Sequence, residues 1–90
     1  DILKHIVKMP NLSVLQLRGA HLGAAEIDLL IQIRELKKLE LLYCEIEPET
    51  FARLSELSIS ESIRFFGTEA SAEQRDDLSE ALEGIEIVYG

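Results

Sequence analysis

The side chains that could support catalysis or metal binding are few in this chain and stand far apart. His5 and His21 are the two histidines, and no pair of cysteines or third histidine completes the ligand set that a zinc site needs. The acidic neighbours Asp76 and Asp77 diverge if they lie on a helix, and no apolar residues surround them to tune a general acid or base. No HExxH, CxxC, GxSxG or P-loop motif occurs. The sequence therefore predicts a protein that is not an enzyme and that holds no metal or cofactor.

The charge balance and the single cysteine narrow the class of partner and the compartment. The chain has 9 Lys and Arg against 17 Asp and Glu, a net charge of -8, and its bases are not clustered as phosphate contacts require. We therefore expect neither a nucleic acid nor a membrane as partner. Cys44 is the only cysteine, which excludes an intrachain disulfide and favours a reducing, cytoplasmic location. No signal peptide is visible, and no apolar run approaches the roughly 20 residues that span a bilayer.

Four stretches of the chain fit one template, and this template predicts strands. LSVLQLRGAHL at 12–22 and LKKLELLYCEI at 36–46 share an LxxLxL core 24 residues apart, and SESIRFFGTEA at 60–70 follows at the same step. A last step of 22 residues reaches LEGIEIVYG at 82–90. Each core alternates inward and outward residues with period two, as a strand does. We expect four strands with cores near 12–18, 36–42, 60–66 and 82–88.

Segments with helical spacing separate these strands, at 2–9, 24–34, 48–57 and 72–83. Ser71 followed by Gln74 reads as a capping box, and Pro48 suits the first position of a helix. Short strands that alternate with helices predict an α/β fold with a parallel sheet and right-handed crossovers. With a constant period the units stack side by side, which gives a curved sheet with the helices outside. A flavodoxin-like sheet is the rival fold, and it would need a reversal of strand order and a Gly-rich phosphate loop, neither of which is visible.

The outward strand positions are the most informative about function. Because the repeats align, residues 24 apart, or 22 for the last step, should lie side by side on the concave face of the sheet. One predicted row consists of Gln16, Glu40, Arg64 and Glu86. In this row Arg64 has an acidic neighbour on each side, and each opposite-charge pair stabilises strand pairing by about 0.2–1 kcal/mol.

The next predicted row is apolar on a face that should be polar. It consists of Arg18, Leu42, Phe66 and Val88, and it is flanked by Tyr43 and Tyr89. Aromatic and Arg side chains around apolar anchors are the composition of a binding hot spot, and an exposed apolar cluster usually has a use. We therefore predict that the following residues bind a protein partner: Arg18, Glu40, Leu42, Tyr43, Arg64, Phe66, Glu86, Val88 and Tyr89.

These repeats resemble those of leucine-rich repeat proteins, and the resemblance covers essentially all of residues 1–90. IRFFGTEAS at 63–71 looks like the LxLxGTxVT form found in many bacterial members, and LSEALEGIEI at 78–87 looks like the LxxALPxxxI segment that closes such arrays. Cys44 matches the turn residue of ribonuclease-inhibitor-like and cysteine-containing repeats. The resemblance implies one short solenoid domain over 1–90, with a four-stranded parallel sheet on the concave face and helices on the convex face.

The chain departs from the family pattern at the turns and at one core position. In the family an Asn at the turn forms a ladder of hydrogen bonds between repeats, whereas here the turn positions are Ala20, Cys44, Thr68 and Gly90. Because Ala20 has no polar side chain, we expect turns that are held less tightly. Ser60 stands where Leu is usual, and we expect Ile59 to fill the core through a local shift.

The predicted function is non-catalytic recognition of a protein partner through the concave face of the sheet. The alternative is a structural role, as the C-terminal segment or cap of a longer leucine-rich repeat array with no site of its own. Self-association through the concave face or through the ends of the array is a further alternative. The sequence does not identify the partner.

Overall fold

The computed structural model describes residue 8 and residues 12–90, and over these residues the chain forms a mixed α/β fold. The helix predicted over 2–9, which includes His5, lies outside the described residues except for Lys8. The described elements, in chain order, are β1 (Val14–Arg18), β2 (His21–Leu22), α1 (Ala24–Ile31), β3 (Leu36–Leu42), β4 (Glu45–Ile46), α2 (Pro48–Phe51), a 3-10 helix (Ala52–Glu56), β5 (Ile59–Phe66), α3 (Ala72–Ala81) and β6 (Glu86–Tyr89).

The larger sheet has four parallel strands in the order β1-β3-β5-β6, and β2 pairs with β4 in a second, two-stranded parallel sheet. Almost every pairing joins residues 24 apart, as in the row that runs from Val14 through Lys38 and Ser62 to Glu86. The strands of the larger sheet follow one another in chain order, without the reversal of a flavodoxin-like sheet. The predicted α/β class and the four-stranded parallel sheet are therefore confirmed.

The last strand lies two residues further along the chain than the repeat template predicts. The step into β6 is 24 residues rather than 22, because Ile63 pairs with Ile87 and Phe65 pairs with Tyr89. Leu82, predicted to begin this strand core, is instead the C-cap of α3 and is buried there. Gly84 follows with a φ of +88° and turns the chain toward β6. The prediction of a strand core near 82–88 was therefore wrong in register.

A local shift in β5 places an isoleucine in the core, as the sequence predicts. Leu36 pairs with Ile59, whereas Lys38 pairs with Ser62, so β5 carries one additional residue between these two pairs. The bulge turns Ile59 inward, where it is buried, and leaves Ser60 exposed. A bulge of this kind re-aims side chains without ending the strand.

The helical segments cover one face of the larger sheet. Ile27 and Leu30 of α1, Phe51 of α2, Leu54 of the 3-10 helix and Leu78 of α3 are all buried. The capping box predicted at α3 is present, since the amide of Gln74 donates to Ser71 Oγ at 3.1 Å and Gln74 Oε1 accepts from the Ser71 amide at 2.8 Å. Burial alternates along β1, in the order exposed, buried, exposed, buried, exposed. The side of the larger sheet that the helices of residues 12–90 do not cover is called the open face.

Candidate functional site

The open face is organised in three rows of outward side chains that cross the strands. The first row is Val14, Lys38, Ser62 and Glu86, and the middle row is Gln16, Glu40, Arg64 and Val88. The carboxyl-end row is Arg18, Leu42 and Phe66, with Gly90 against the Phe66 ring. The turn row, which directly follows the strands, is Gly19, Tyr43 and Gly67.

Four of the residues predicted to bind a partner meet at the carboxyl end of this face. The Tyr43 ring meets the Phe66 ring edge to face, with centroids 5.5 Å apart and an interplanar angle of 89°. This aromatic pair is solvent-accessible, because Tyr43 is 55% exposed and Phe66 is 46% exposed. Leu42 lies beside Phe66 in the sheet and is half-buried. The Arg18 guanidinium carbon lies 6.0 Å from the Tyr43 ring centre, at the outer limit of a cation–π contact.

Tyr89 does not flank this aromatic pair, contrary to the sequence prediction. In the observed register it lies in the same row across the strands as Leu17, Leu41 and Phe65, which are core positions. Its ring stacks on Phe65 with centroids 5.1 Å apart, and the Arg75 guanidinium lies 4.4 Å from its centre. Burial raises the pKa of the Tyr89 hydroxyl. Tyr89 therefore belongs to the side of the sheet that the helices cover.

Glu86 and Val88 lie on the open face, but each lies one row away from its predicted place. Glu86 is beside Ser62 rather than Arg64, so the predicted Arg64–Glu86 strand pair is wrong. Val88 is beside Arg64 rather than Phe66, and the apolar strip therefore does not extend to β6. Both errors have the same origin, the two-residue shift of the last strand.

The middle row forms a polar chain across the first three strands. Gln16 Nε2 donates to Glu40 Oε1 at 2.9 Å, and Arg64 Nη1 lies 3.7 Å from Glu40 Oε2. The predicted neighbouring pair of Glu40 and Arg64 is thus present. Because Arg64 remains largely exposed, this ion pair contributes no more than about 1 kcal/mol.

The turn row demands a backbone conformation that only glycine adopts readily. The φ angles of Gly19, Tyr43 and Gly67 are +65°, +52° and +63°. An L-residue in this left-handed region costs about 1–2 kcal/mol, so Tyr43 occupies a position that favours glycine. Its ring lies over Gly67, where an added Cβ would collide with the ring carbons. The sequence contains this signal in the spacing of Gly19, Tyr43 and Gly67, but the repeat template alone does not expose it.

A ladder of side-chain hydrogen bonds holds the turns that carry Tyr43. The Thr68 hydroxyl accepts from the Cys44 amide at 3.1 Å and donates to the Leu41 carbonyl at 3.1 Å. The Cys44 thiol donates to the Leu17 carbonyl at 3.4 Å, which is the equivalent bond one repeat earlier. Both side chains are buried, so each bond joins neighbouring repeats where water cannot compete. The turns are therefore tied together at Cys44 and Thr68 despite the lack of Asn.

Beyond the open face, His21 and two glutamates form a cluster of ionisable groups that joins two repeats. His21 Nε2 lies 2.8 Å from Glu47 Oε2, and His21 Nδ1 lies 3.7 Å from Glu45 Oε2. The hydrogen bond to Glu47, with the charges of both carboxylates, raises the pKa of His21. Glu45 and Glu47 thus hold His21 between them. No group of three or more His, Cys, Asp or Glu side chains in the described part of the chain is placed to bind a metal ion.

Comparisons with protein-family models, with curated proteins and with solved structures gave no match for this chain. Among residues 8 and 12–90, no helix has both the length and the apolar character needed to cross a membrane.

Proposed function

We propose that this chain is a leucine-rich repeat module that binds another protein through the open face of its sheet and performs no catalysis. The 24-residue step between paired strands supports the family assignment, since a constant period of 20–29 residues with an LxxLxL core is typical of these repeats. The hydrogen bonds of Cys44 and Thr68 supply a ladder between turns, in the place where the family uses Asn.

The observation that carries the proposal is the exposed aromatic pair of Tyr43 and Phe66. Tyr43 is more than half exposed although its backbone favours glycine. A residue in an unfavourable conformation at a surface commonly reflects a functional requirement. Aromatic side chains with Arg nearby are the residues that most often dominate binding energy at protein interfaces.

The proposal is tested by measuring partner binding with two variants of this pair. Partners captured by the native chain should bind the Phe66→Ser and Tyr43→Gly variants at least about tenfold more weakly, the loss expected when a hot-spot side chain is removed. Val14→Ser is the matched control, because Val14 is also exposed on the open face, at 51%, but lies in the first row. It should change affinity much less.

Two outcomes would reject the proposed binding site. If every partner binds both aromatic variants as tightly as the native chain, the open face is not the binding surface, and the structural role within a longer array becomes the better explanation. If Val14→Ser weakens binding as much as Phe66→Ser does, binding is not centred on the aromatic pair.

A further inference from the structure

Charge is distributed very unevenly between the open face and the rest of this acidic chain. The three rows contain three bases, Arg18, Lys38 and Arg64, and two acids, Glu40 and Glu86. The open face therefore has a net charge of +1, and because the whole chain carries -8, the remaining residues together carry -9. The opposite charges of Lys37 and Glu61, which flank the bulge, cancel. Counting both residues with the open face therefore leaves its net charge at +1.

The bases of this face keep capacity to bind a carboxylate. Within residues 12–90, Arg18 and Lys38 form no ion pair, and Arg64 is paired with Glu40 at the long distance of 3.7 Å. Glu40 already accepts a hydrogen bond from Gln16, so its carboxylate is held from both sides. An arginine has five N–H donors, and the single contact to Glu40 leaves most of those of Arg64 available.

Two of these bases lie on either side of the aromatic pair. Arg18 is in the same row as Phe66 but two strands away, about 10 Å at the usual strand spacing. Arg64 precedes Phe66 by two residues on β5, so both side chains lie on the same side of the sheet, about 7 Å apart along the strand. A segment that places an apolar side chain on the aromatic pair would therefore lie near Arg18 in the direction across the strands and near Arg64 in the direction along β5.

We propose that the partner presents an acidic, extended segment to this face. This proposal rests on the proposed function. An apolar or aromatic side chain of the segment packs on Tyr43 and Phe66. Flanking Asp or Glu side chains pair with Arg18 and Arg64. Because these bases lie on strands about 10 Å apart, two side-chain carboxylates fit them better than one terminal carboxylate. A basic segment would be attracted mainly to the other surfaces, where the net charge is -9, and would not be directed to the open face.

The inference is tested by selecting peptides from a random library displayed on phage. The library is first depleted on the Phe66→Ser variant and is then selected on the native chain. A circular dichroism spectrum that matches that of the native chain shows that the variant is folded. Binders should be enriched in Asp and Glu around an aromatic or aliphatic residue, relative to the unselected library. Replacing the acidic residues of a selected peptide with Asn and Gln should weaken its binding to the native chain about tenfold.

Variants of the chain then locate the charges. The double variant Arg18→Gln/Arg64→Gln should bind the acidic peptide about tenfold more weakly but should bind its Asn and Gln version as the native chain does. Arg34→Gln/Lys37→Gln is the charge-matched control, because it also removes two positive charges and both residues are exposed and lie outside the three rows. It should leave the affinity for the peptide nearly unchanged.

The possible results separate the inference from the proposed function. Binders that depend on Phe66 but are neutral or basic would overturn the acidic segment while leaving recognition by the open face intact. An equal loss of affinity with Arg34→Gln/Lys37→Gln and with Arg18→Gln/Arg64→Gln would also overturn it, since the effect would then come from net charge alone. If no selected peptide depends on Phe66, both the inference and the proposed binding site fail.

Discussion

Replacing Tyr43 should reverse the usual order of stability between alanine and glycine. In most positions Ala is more stabilising than Gly by about 0.4–1 kcal/mol, because Gly loses more conformational freedom on folding. At Tyr43 the φ of +52° lies in the left-handed region, where an L-residue costs about 1–2 kcal/mol. The second effect is larger, so Tyr43→Gly should be more stable than Tyr43→Ala by about 1 kcal/mol.

Relative to the native chain, the stability of Tyr43→Gly is changed by two effects of opposite sign. Tyr43→Gly loses the edge-to-face contact with Phe66, which is worth about 0.5–1.5 kcal/mol. It gains by relieving the left-handed conformation, and these two effects are of similar size. The free energy of unfolding of Tyr43→Gly should therefore lie within about 1 kcal/mol of the native value, whereas Tyr43→Ala loses the contact without any relief. Tyr43→Gly thus removes the ring from the binding surface with little change in stability.

Urea denaturation followed by circular dichroism measures these differences through the linear dependence of the free energy of unfolding on urea concentration. In thermal unfolding, 1 kcal/mol corresponds to roughly 4–8 °C for a domain of this size. Gly19→Ala is the control for backbone conformation alone, because Gly19 has a φ of +65° and an added Cβ there meets no atom within 4 Å. It should lose about 1 kcal/mol.

Two results would refute this reasoning. If Tyr43→Ala is as stable as Tyr43→Gly, or more so, Tyr43 does not hold a left-handed conformation in solution. If Gly19→Ala is as stable as the native chain, the turn row does not require this conformation, and the aromatic residue at Tyr43 is not an exception that calls for a functional reason.

Three further predictions concern the ladder, the bulge and the histidine cluster. Thr68→Val should lower the free energy of unfolding by about 1–3 kcal/mol, because the buried Cys44 amide and Leu41 carbonyl lose their hydrogen-bond partner. Thr68→Ser keeps the hydroxyl and should retain most of the stability. Equal losses in the two variants would contradict the role of the hydroxyl. Ile59→Ala should cost about 2–5 kcal/mol as a buried core truncation and Ser60→Ala almost nothing, and the reverse order in urea denaturation would show that the bulge is misplaced. Because the pKa of His21 is raised above 6.5, its stabilising contribution is complete below pH 6.5 and is lost as the pH rises through the folded-state pKa. The free energy of unfolding should therefore fall over this range more in the native chain than in His21→Asn. Parallel pH profiles of the two proteins would exclude the contribution.

The repeat period predicted the sheet because it is set by side chains that alternate into the core. The inward leucines at 15, 17, 39 and 41 are buried as the template requires. The last repeat was misplaced because Leu82, Ile85 and Ile87 fit the template two residues early. Local pattern alone could not reveal that α3 uses Leu82 for its own packing, since a buried leucine serves a helix end and a strand equally well. The constant step of 24 would have placed Tyr89 in the core, but a tyrosine there is easily taken for a surface residue.

The segment after β4 shows a second reason for the difference between sequence and structure. Its apolar residues Phe51, Leu54 and Leu57 are spaced three apart and all are buried, and this spacing predicts one helix over 48–57. The structure has a short α2 followed by a 3-10 helix over Ala52–Glu56. A 3-10 helix has three residues per turn, so residues three apart lie directly above one another. The spacing was therefore a signal for the tighter helix, although it is also compatible with an α-helix.

The corrected register makes the candidate surface smaller and more aromatic than the sequence indicated. With Val88 beside Arg64, the neighbour of Phe66 toward β6 is Gly90, whose added Cβ would lie 2.8 Å from the Phe66 ring. The lack of a side chain there gives the ring room, and Phe66 is left 46% exposed instead of being covered by a valine. At the carboxyl end of the open face, the apolar contact area thus consists of Leu42, Phe66 and Tyr43. A patch of this size supplies an anchor but little selectivity, so discrimination between partners must come mainly from the charged side chains around it, Arg18 and Arg64 above all.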